Sequence, residues 1–339
     1  MEISNDFIYS RIKLLLLFVT FPYVLMSQSI VVSGAVFDAV SKKPLEGVVI
    51  YIDGTTKGTI TNTSGKFSLD SEIGKNFQIV VSYLGYETIY LGASSLNKEK
   101  GLIIYLEKKL EELEAVFIQN DDWSREKKLN YFRTHFIGNK EAQRTCAILN
   151  EKDIRLYYNA NDRSLYASSS VPIQIKNDHL GYEILYNLVD FEVKFSTTGW
   201  VNSVYFAGTS FFTEFNSKNK RYQRKRNKVF KGSTAHFMRS LATNTLAENK
   251  FELYYKGFKT SVSELLKIQK RNGFAEIYPL VNKTTVLYRK KLKTDIMINT
   301  KEFFVIDGLG NFSHPDKIVF NGYMAEQKIA RLLPLDYGL

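Results

Sequence analysis

Residues 30–38, from Ile30 to Asp38, have the sequence IVVSGAVFD. Its apolar residues alternate with small or polar ones, as in a β-strand that buries one face. A second run of the same kind covers Val48–Ile52, after the turn-forming segment SKKPLEG at residues 41–47. Asp53 and Gly54 then provide a turn. The chain therefore opens its folded part with two short strands joined by a loop.

Turn residues separate further short strands over the first third of the chain. Gly54 and Gly65 fall at turn positions that favour a positive φ, and Gly85 is expected to mark a bulge or a close backbone approach. The remaining strands are predicted over residues 66–69, 77–83, 86–91 and 102–106. Short strands at this spacing predict an all-β antiparallel sandwich over residues 28–110.

The order of these segments resembles the carboxypeptidase-regulatory-like domain, a transthyretin-like sandwich. The resemblance rests on the succession GAVFD at 34–38, PLEGV at 44–48, GTTKGT at 54–59, TNTSGKF at 61–67 and VSYLGY at 81–86. Such a module heads many TonB-dependent receptors of Gram-negative bacteria and is an appendage of zinc carboxypeptidases. The resemblance implies a docking or scaffold role at the outer membrane, without catalytic residues in this region.

Neither usual companion of that module is predicted to follow it. A peptidase zinc site needs histidine and glutamate at ligand spacing. None of the four histidines has a glutamate three residues later or a second histidine at that spacing: His135, His179, His236 and His314. The segment LEELEAVFI at 110–118 resembles the strand that leads into a receptor plug. The residues after it are too few for a plug and a barrel of about 22 strands.

The first residues indicate export. Arg11 and Lys13 precede the short apolar run LLLLFVTF at 14–21, and Ser27 stands before Gln28. This pattern predicts a cleaved signal peptide over residues 1–27, with an N-terminal membrane anchor as the alternative. The only cysteine, Cys146, lies far from this segment and is expected to be a small buried hydrophobe. We therefore expect a periplasmic or outer-membrane-associated protein that is not a lipoprotein through its own cysteine.

Residues 111–339 are predicted to form an α+β domain with a mainly antiparallel sheet. Asp121 and Asp122 would cap a helix that starts at Trp123 and ends at Gly138. Other helices are predicted over 220–229, after an N-cap at Ser233, and after a capping box at 261–264 that precedes Leu265. Strands are predicted over 146–150, 154–158, 165–167, 172–175, 182–195, 201–206, 285–289, 302–306 and 317–320.

The positive charge belongs almost entirely to this second domain. The net charge is +11, whereas residues 1–27 are neutral overall and residues 28–110 hold nine lysines against eight acids. The segment Lys218–Lys231 holds eight basic residues and no acid. Six of them are the candidate surface for an anionic glycolipid or an acidic partner: Lys220, Arg221, Arg224, Lys225, Arg226 and Lys228. A solvated basic helix is the alternative, and the export signal argues against nucleic acid.

No catalytic, cofactor-binding or metal-binding residue is predicted. Ser233 and His236 share a helix but lack the Gly-x-Ser-x-Gly elbow of a hydrolase. Ser124-x-x-Lys127 and Ser217-x-x-Lys220 have the Ser–Lys spacing of some acyl-transfer enzymes without their other motifs.

Three functions follow as alternatives from the sequence. The first is a non-catalytic accessory or binding protein of the cell envelope, whose sandwich docks onto an envelope protein such as an outer-membrane protein. The second is an envelope hydrolase of peptide or glycan with a site in residues 111–339. The third is a binder of an anionic envelope polymer through residues 218–231.

Overall fold

The structure, a computed structural model, describes residues 30–71, 77–92, 101–109, 121–216, 218–271 and 273–338. Over these residues the chain is mixed α/β and mainly β. Its named strand pairs are antiparallel, apart from the parallel pair of β1 and β7. The predicted signal peptide over residues 1–27 and the plug-like segment at 110–118 lie outside the described residues.

Two sheets form the N-terminal module, with the strand orders β4-β1-β7 and β3-β2-β5-β6. The strands are β1 Ile30–Asp38, β2 Val49–Ile52, β3 Gly58–Ile60, β4 Lys66–Ser71, β5 Gln78–Ser82, β6 Ile89–Gly92 and β7 Leu102–Leu106. Alternate apolar residues from both sheets share one core, which includes Val36, Ile50, Ile79 and Leu106. The predicted succession of strands is confirmed. Strands β1, β4 and β7 bury alternate residues, whereas the central strands β2 and β5 each bury three consecutive residues.

The glycines of the module were predicted for two different reasons. Gly54 and Gly65 have φ values of 73° and 71°, which confirms the turn positions. Gly85 has a φ of 82°, yet a Cβ added there would meet nothing within 4 Å. The expected close backbone approach at Gly85 is therefore wrong, and its positive φ is what favours glycine.

The middle of the chain forms a six-stranded antiparallel sheet covered by a helix. Its order is β8-β11-β12-β10-β9, with β13 paired to β12. The elements are α1 Arg125–Phe136, α2 Lys140–Gln143, β8 Cys146–Ile148, β9 Ile154–Asn159, β10 Ser164–Ser169, β11 Ile173–Asn177, β12 Tyr182–Phe195 and β13 Val201–Glu214. Phe132 and Phe136 of α1 are fully buried against this sheet. The predicted hairpin of β12 with β13 is confirmed, and β13 continues to Glu214.

The last third of the chain contains two more antiparallel sheets around a core of their own. Their orders are β15-β14-β18-β19-β21 and β16-β17-β20. The elements are α3 Lys220–Phe230, α4 Thr234–Thr243, β14 Phe251–Tyr255, β15 Phe258–Thr260, α5 Val262–Leu265, β16 Leu266–Arg271, β17 Phe274–Pro279, β18 Lys283–Tyr288, β19 Leu292–Ile298, β20 Phe304–Asp307 and β21 Ile318–Gly322. The predicted mainly antiparallel sheet is confirmed, and this part of the chain is mainly β with a few helices.

Two predicted helices differ from the observed ones. Helix α1 is capped by Ser124, not by the aspartates before it, because Asp121 instead accepts from the backbone N–H of Trp123 and of Tyr158. The second difference concerns the length of helix α5, which follows Ser261. Its N–H and hydroxyl do donate to Glu264, but the helix ends after one turn because the next residues pair with β17.

Candidate binding surfaces

Helix α3 carries the predicted basic surface. Its N-cap Asn219 accepts a hydrogen bond from the backbone N–H of Arg221 at 2.9 Å. The first turn holds no acid and begins with Lys220 and Arg221, although cations are disfavoured near the positive end of a helix dipole. The helix is therefore held by its packing, chiefly through the buried residues Arg226 and Val229.

Arg226 is the one member of the predicted surface that is buried, with 2% of its area exposed. Its Nε donates to the carbonyl of Leu180 at 2.7 Å, and its Nη2 donates to that of Gly181 at 3.0 Å. Its Nη1 lies 2.9 Å from a carboxylate oxygen of Glu214, and the guanidinium covers the ring of Tyr182 at 3.9 Å. Arg226 is thus a structural residue that attaches α3 to the β12–β13 hairpin. This corrects its inclusion in the ligand-facing set.

Four cations do come together beside His179: Arg221, Lys225, Lys228 and Arg331, hereafter the α3 patch. Burial lowers the pKa of the His179 imidazole first, and these four charges lower it further. Burial and the neighbouring Arg221 also lower the pKa of Lys225. No ion pair to a carboxylate is formed by the four cations within the part of the chain that the structure describes. The α3 patch is a concentration of positive charge suited to an anion.

A second surface lies on the N-terminal module and was not predicted. Strand β7 is at the edge of its sheet, and its side chain Ile103 is 66% exposed. Tyr105 and Val31 are also exposed, and Phe37 contacts the ring of Tyr105 at a centroid distance of 5.9 Å. We call these four residues the β1/β7 face. Phe37, Ile103 and Tyr105 lie where β1 pairs with β7, and Val31 lies farther along β1, where it pairs with β4. Exposed apolar side chains at a sheet edge mark an interaction surface.

The opposite end of the module is joined to the rest of the chain. The Tyr51 hydroxyl accepts from Asn187 Nδ2 at 2.6 Å and lies 3.0 Å from the Thr209 hydroxyl. The carboxylate of Asp53 accepts from the backbone N–H of Ser210 at 2.8 Å. Burial raises the pKa of Asp53 to about 6 despite this hydrogen bond. This end of the module is therefore occupied by β12 and β13 and is closed to an outside partner.

The C-terminal segment strengthens the same junction. The backbone N–H of Leu335 donates to the carbonyl of Gly54 at 2.6 Å. The carboxylate of Asp336 accepts from the hydroxyl and the backbone N–H of Thr56. Arg239 of α4 donates to the carbonyl of Leu335, which holds the segment from the other side. Three distant parts of the sequence thus meet at the β2–β3 turn.

The serines considered as nucleophiles have structural partners. Ser124 and Ser233 each cap a helix by accepting a backbone N–H, from Lys127 at 3.3 Å and from His236 at 3.1 Å. The prediction of Ser233 as a cap is confirmed. Ser217, the third serine considered, lies outside the described residues.

His236 and Cys146 are both buried. The imidazole of His236 accepts at Nδ1 from the backbone N–H of Gly232 and lies 3.1 Å from the side-chain oxygen of Asn249. Burial lowers the pKa of His236 and raises that of the Cys146 thiol to about 12. Such a thiol is almost wholly protonated at neutral pH. Among the residues that the structure describes, no group of three or more His, Cys, Asp or Glu side chains is placed to hold a metal ion.

The comparison with protein families concerns the module whose geometry is given above. Its seven strands, apart from Ile30 and Val31 at the start of β1, and the turn glycines lie within the matched range. Residues 32–118 match the CarboxypepD_reg-like domain. This region of the chain is a CarboxypepD_reg-like domain. The match confirms the resemblance drawn from the sequence and extends past the predicted boundary at residue 110. Phe37, Ile103 and Tyr105 of the β1/β7 face lie within the matched residues, and Val31 directly precedes them.

Solved structures give only distant likenesses. One is a protein of unknown function from Bacteroides fragilis NCTC 9343, provisionally described as membrane-associated, with 9% identity and a TM-score of 0.19 over 82% of this chain and 93% of that one. Another is a 9R-lipoxygenase from Cyanothece PCC8801, with 10% identity and a TM-score of 0.18. The match covers 63% of this chain and 48% of the lipoxygenase. At these TM-scores neither likeness bears on function.

Two further findings concern the whole chain. A search of curated proteins gave no match. None of the helices in the described ranges combines the length and the apolar character needed to cross a membrane. The division of the chain at residue 110 stays a prediction, because residues 110–120 are not among those described.

Proposed function

We propose that this chain is a non-catalytic binding protein of the bacterial cell envelope, and that its transthyretin-like sandwich docks onto an envelope protein through the β1/β7 face. The observation that carries the proposal is the division of the module into two ends. The end near Tyr51 and Asp53 is joined internally by hydrogen bonds, whereas the β1/β7 face exposes apolar side chains. A docking module needs such a free apolar face.

The chemistry of the face favours a protein as its partner. Strand β7 pairs only with β1 among the described strands, and residues 107 and 109 directly after it bond to Glu87 and Gly85. The outer edge within Leu102–Leu106 therefore offers backbone donors and acceptors to an added strand. Parallel pairing sets Phe37 opposite Tyr105 and Ala35 opposite Ile103. An incoming strand would thus gain main-chain hydrogen bonds and bury aromatic and aliphatic side chains together. An outer-membrane protein is the partner that the predicted signal peptide and the CarboxypepD_reg-like domain favour.

The test is affinity purification of the tagged full-length chain from envelope fractions. Ile103→Asp and Tyr105→Asp place a charge on the β1/β7 face and should each remove the specific partner from the eluate. Ile60→Asp is the matched control, because Ile60 lies on β3 of the other sheet and is 62% exposed, almost as much as Ile103. Equal recovery of the partner with all three variants would reject the docking surface.

The α3 patch supports a second function, the binding of an anionic glycolipid of the envelope such as lipopolysaccharide. Arg221, Lys225, Lys228 and Arg331 act together on His179, so phosphate groups could contact several of them at once. The double variant Arg221→Glu with Lys225→Glu should lose lipopolysaccharide retention. The control variant is Lys140→Glu with Arg144→Glu, which also reverses one lysine and one arginine at positions i and i+4, but at α2. It should leave retention intact. Retention unaffected by the α3 substitutions excludes this function.

A further inference from the structure

A cavity of about 590 Å³ lies between β14, the β18–β19 turn and the start of α5. Its floor is apolar and includes Leu246, Phe251, Leu253 and Val262. This volume is within the range of small-molecule sites, which are mostly apolar with a few placed polar groups. No residue of the cavity belongs to the β1/β7 face or to the α3 patch.

The rim of the cavity is strongly cationic. Lys250, Lys259, Arg289 and Lys290 line it together with a single acid, Glu252. The carboxylate of Glu252 is already paired with the ammonium of Lys259 at 2.8 Å. Within the described part of the chain, the other three cations form no ion pair. The cavity therefore presents uncompensated positive charge above an apolar floor.

The backbone presents these cations in a conformation that their own side chains disfavour. Arg289 and Lys290 form the β18–β19 turn with φ values of 50° and 58°, and Lys250 has a φ of 66°. Hairpin turns with two positive φ values favour Asn-Gly. The N–H of Arg289 donates to the carbonyl of Lys250 at 2.8 Å, so the two strained turns are adjacent. Strained residues of this kind concentrate at functional sites.

An exposed aromatic residue precedes the rim residue Lys259 in the chain. Phe258 begins β15, directly before the rim residue Lys259, and is 78% exposed. It follows the turn residues Lys256 and Gly257, which both have positive φ values. An aromatic ring between two lysines combines an apolar anchor with cations, the composition of protein surfaces that enter the headgroup boundary of a bilayer.

We propose that this end of the molecule binds the surface of a membrane that contains anionic lipid. Phe258 enters the boundary between headgroups and acyl chains, and the rim cations contact lipid phosphates. The cavity receives part of one anionic lipid, whose apolar portion covers Phe251 and Leu253. A lipid fits better than an acidic protein because the cavity joins an apolar floor to its cations, and a lipid carries both matching parts in one molecule.

The test is co-sedimentation of the full-length chain with vesicles. Vesicles of phosphatidylcholine with phosphatidylglycerol should bind the chain, and vesicles of phosphatidylcholine alone should bind it weakly. The decisive variant is Arg289→Asn with Lys290→Gly, which removes two cations and supplies the residues that the turn prefers. Its binding should fall by roughly tenfold or more, because each basic residue near an anionic surface contributes about fivefold. Its thermal stability should stay equal or rise, which separates lost binding from misfolding.

Single substitutions complete the test. Phe258→Ala should also reduce sedimentation with the mixed vesicles, whereas Trp200→Ala should not, although Trp200 is an equally exposed aromatic residue at the β12–β13 turn. Lys140→Glu with Arg144→Glu should leave vesicle binding unchanged, because it reverses two charges at α2 that do not line the cavity. Equal binding to both kinds of vesicle, or normal binding by the turn variant, overturns the proposal. Binding to an acidic protein without binding to mixed vesicles overturns it as well.

Discussion

Arg226 and Arg224 are two residues apart on the same basic helix and differ in what they contact. Arg226 is buried against Glu214 and two backbone carbonyls, whereas Arg224 is exposed. Arg226→Ala should lower the free energy of unfolding by about 3–5 kcal/mol, because Glu214 and both carbonyls lose their partner. Arg224→Ala should change it by less than about 0.5 kcal/mol. Urea denaturation of both variants checks the difference, and similar losses would refute the structural role of Arg226.

The inward position of Arg226 had a signal in the sequence. Tyr222, Arg226, Val229 and Phe230 fall at helical spacing and include every aromatic and aliphatic residue of the helix. This pattern defines an inner face on which one arginine must lie. The basic composition of the helix could be predicted from the sequence, but the contacts of Arg226 are made by residues 180–182 and 214. Contacts between such distant segments could not be deduced from composition.

Asp53 gives the junction a dependence on pH. Its pKa is raised from 3.8 to about 6 by burial, so the folded state binds the proton more tightly than the unfolded state. Stability is therefore lost as the pH rises from the unfolded pKa to the folded one, and it stays lost above about pH 6. Asp53→Asn keeps an acceptor for the N–H of Ser210 but removes the charge.

The stability of Asp53→Asn relative to the natural chain should therefore rise with pH. Between about pH 4 and pH 7.5 the gain should be about 2 kcal/mol, which follows from the raised pKa. Chemical denaturation of both proteins across this range measures it, and the difference between them cancels the titration of Asp307 and other groups. A constant difference between the two curves would mean that Asp53 is not buried in its charged form.

At the scale of elements, the C-terminal segment connects the module to the last third of the chain. The guanidinium of Arg239 donates hydrogen bonds to the backbone carbonyls of Leu309, Leu335 and Tyr337. Arg239→Ala should release residues 334–338 locally, because hydrogen bonds to a charged donor contribute about 1.5–3 kcal/mol each. Amide exchange at Leu335 should become faster by roughly tenfold or more.

Arg331→Ala provides the control for that prediction. Arg331 precedes the same segment but is exposed, so its removal should leave the exchange at Leu335 unchanged. Hydrogen–deuterium exchange with mass spectrometry resolves peptides of this length. If both variants accelerated exchange equally, the segment would be held by packing and not by the Arg239 guanidinium.

Strands that alternate cleanly were predictable from the sequence, and strands with competing signals were not. The hairpin strand over residues 182–195 was predicted with its observed bounds, because its buried positions recur at every second residue on each side of the bulge between Leu188 and Asp190. After Ser261 the capping box was read correctly, but residues 266–271 also pair with β17. A short run of leucine, lysine and isoleucine suits either period, so only the long-range pairing decides it.

At the scale of the whole molecule, three hydrophobic cores succeed one another along the chain. Leu309 and Leu335, from the last third of the sequence, nevertheless belong to the core of the N-terminal module or pack against it. The sequence indicated a sandwich followed by a basic region, but no pattern in it predicted that Leu309 and Leu335 would pack against the core of the sandwich. The apolar character of Ile103 and Tyr105 was visible in the strand, but which face of β7 stays exposed depends on the tertiary arrangement.

Site-specific photo-cross-linking can show whether the β1/β7 face docks onto a protein partner in the envelope. A photoreactive phenylalanine analogue placed at Tyr105 in the full-length chain, expressed in its own cells, should give one dominant covalent adduct with an envelope protein. The same analogue at Leu84, an exposed apolar residue of the module outside the β1/β7 face, should give none. Absence of an adduct from position 105, or the same adduct from both positions, would contradict the account.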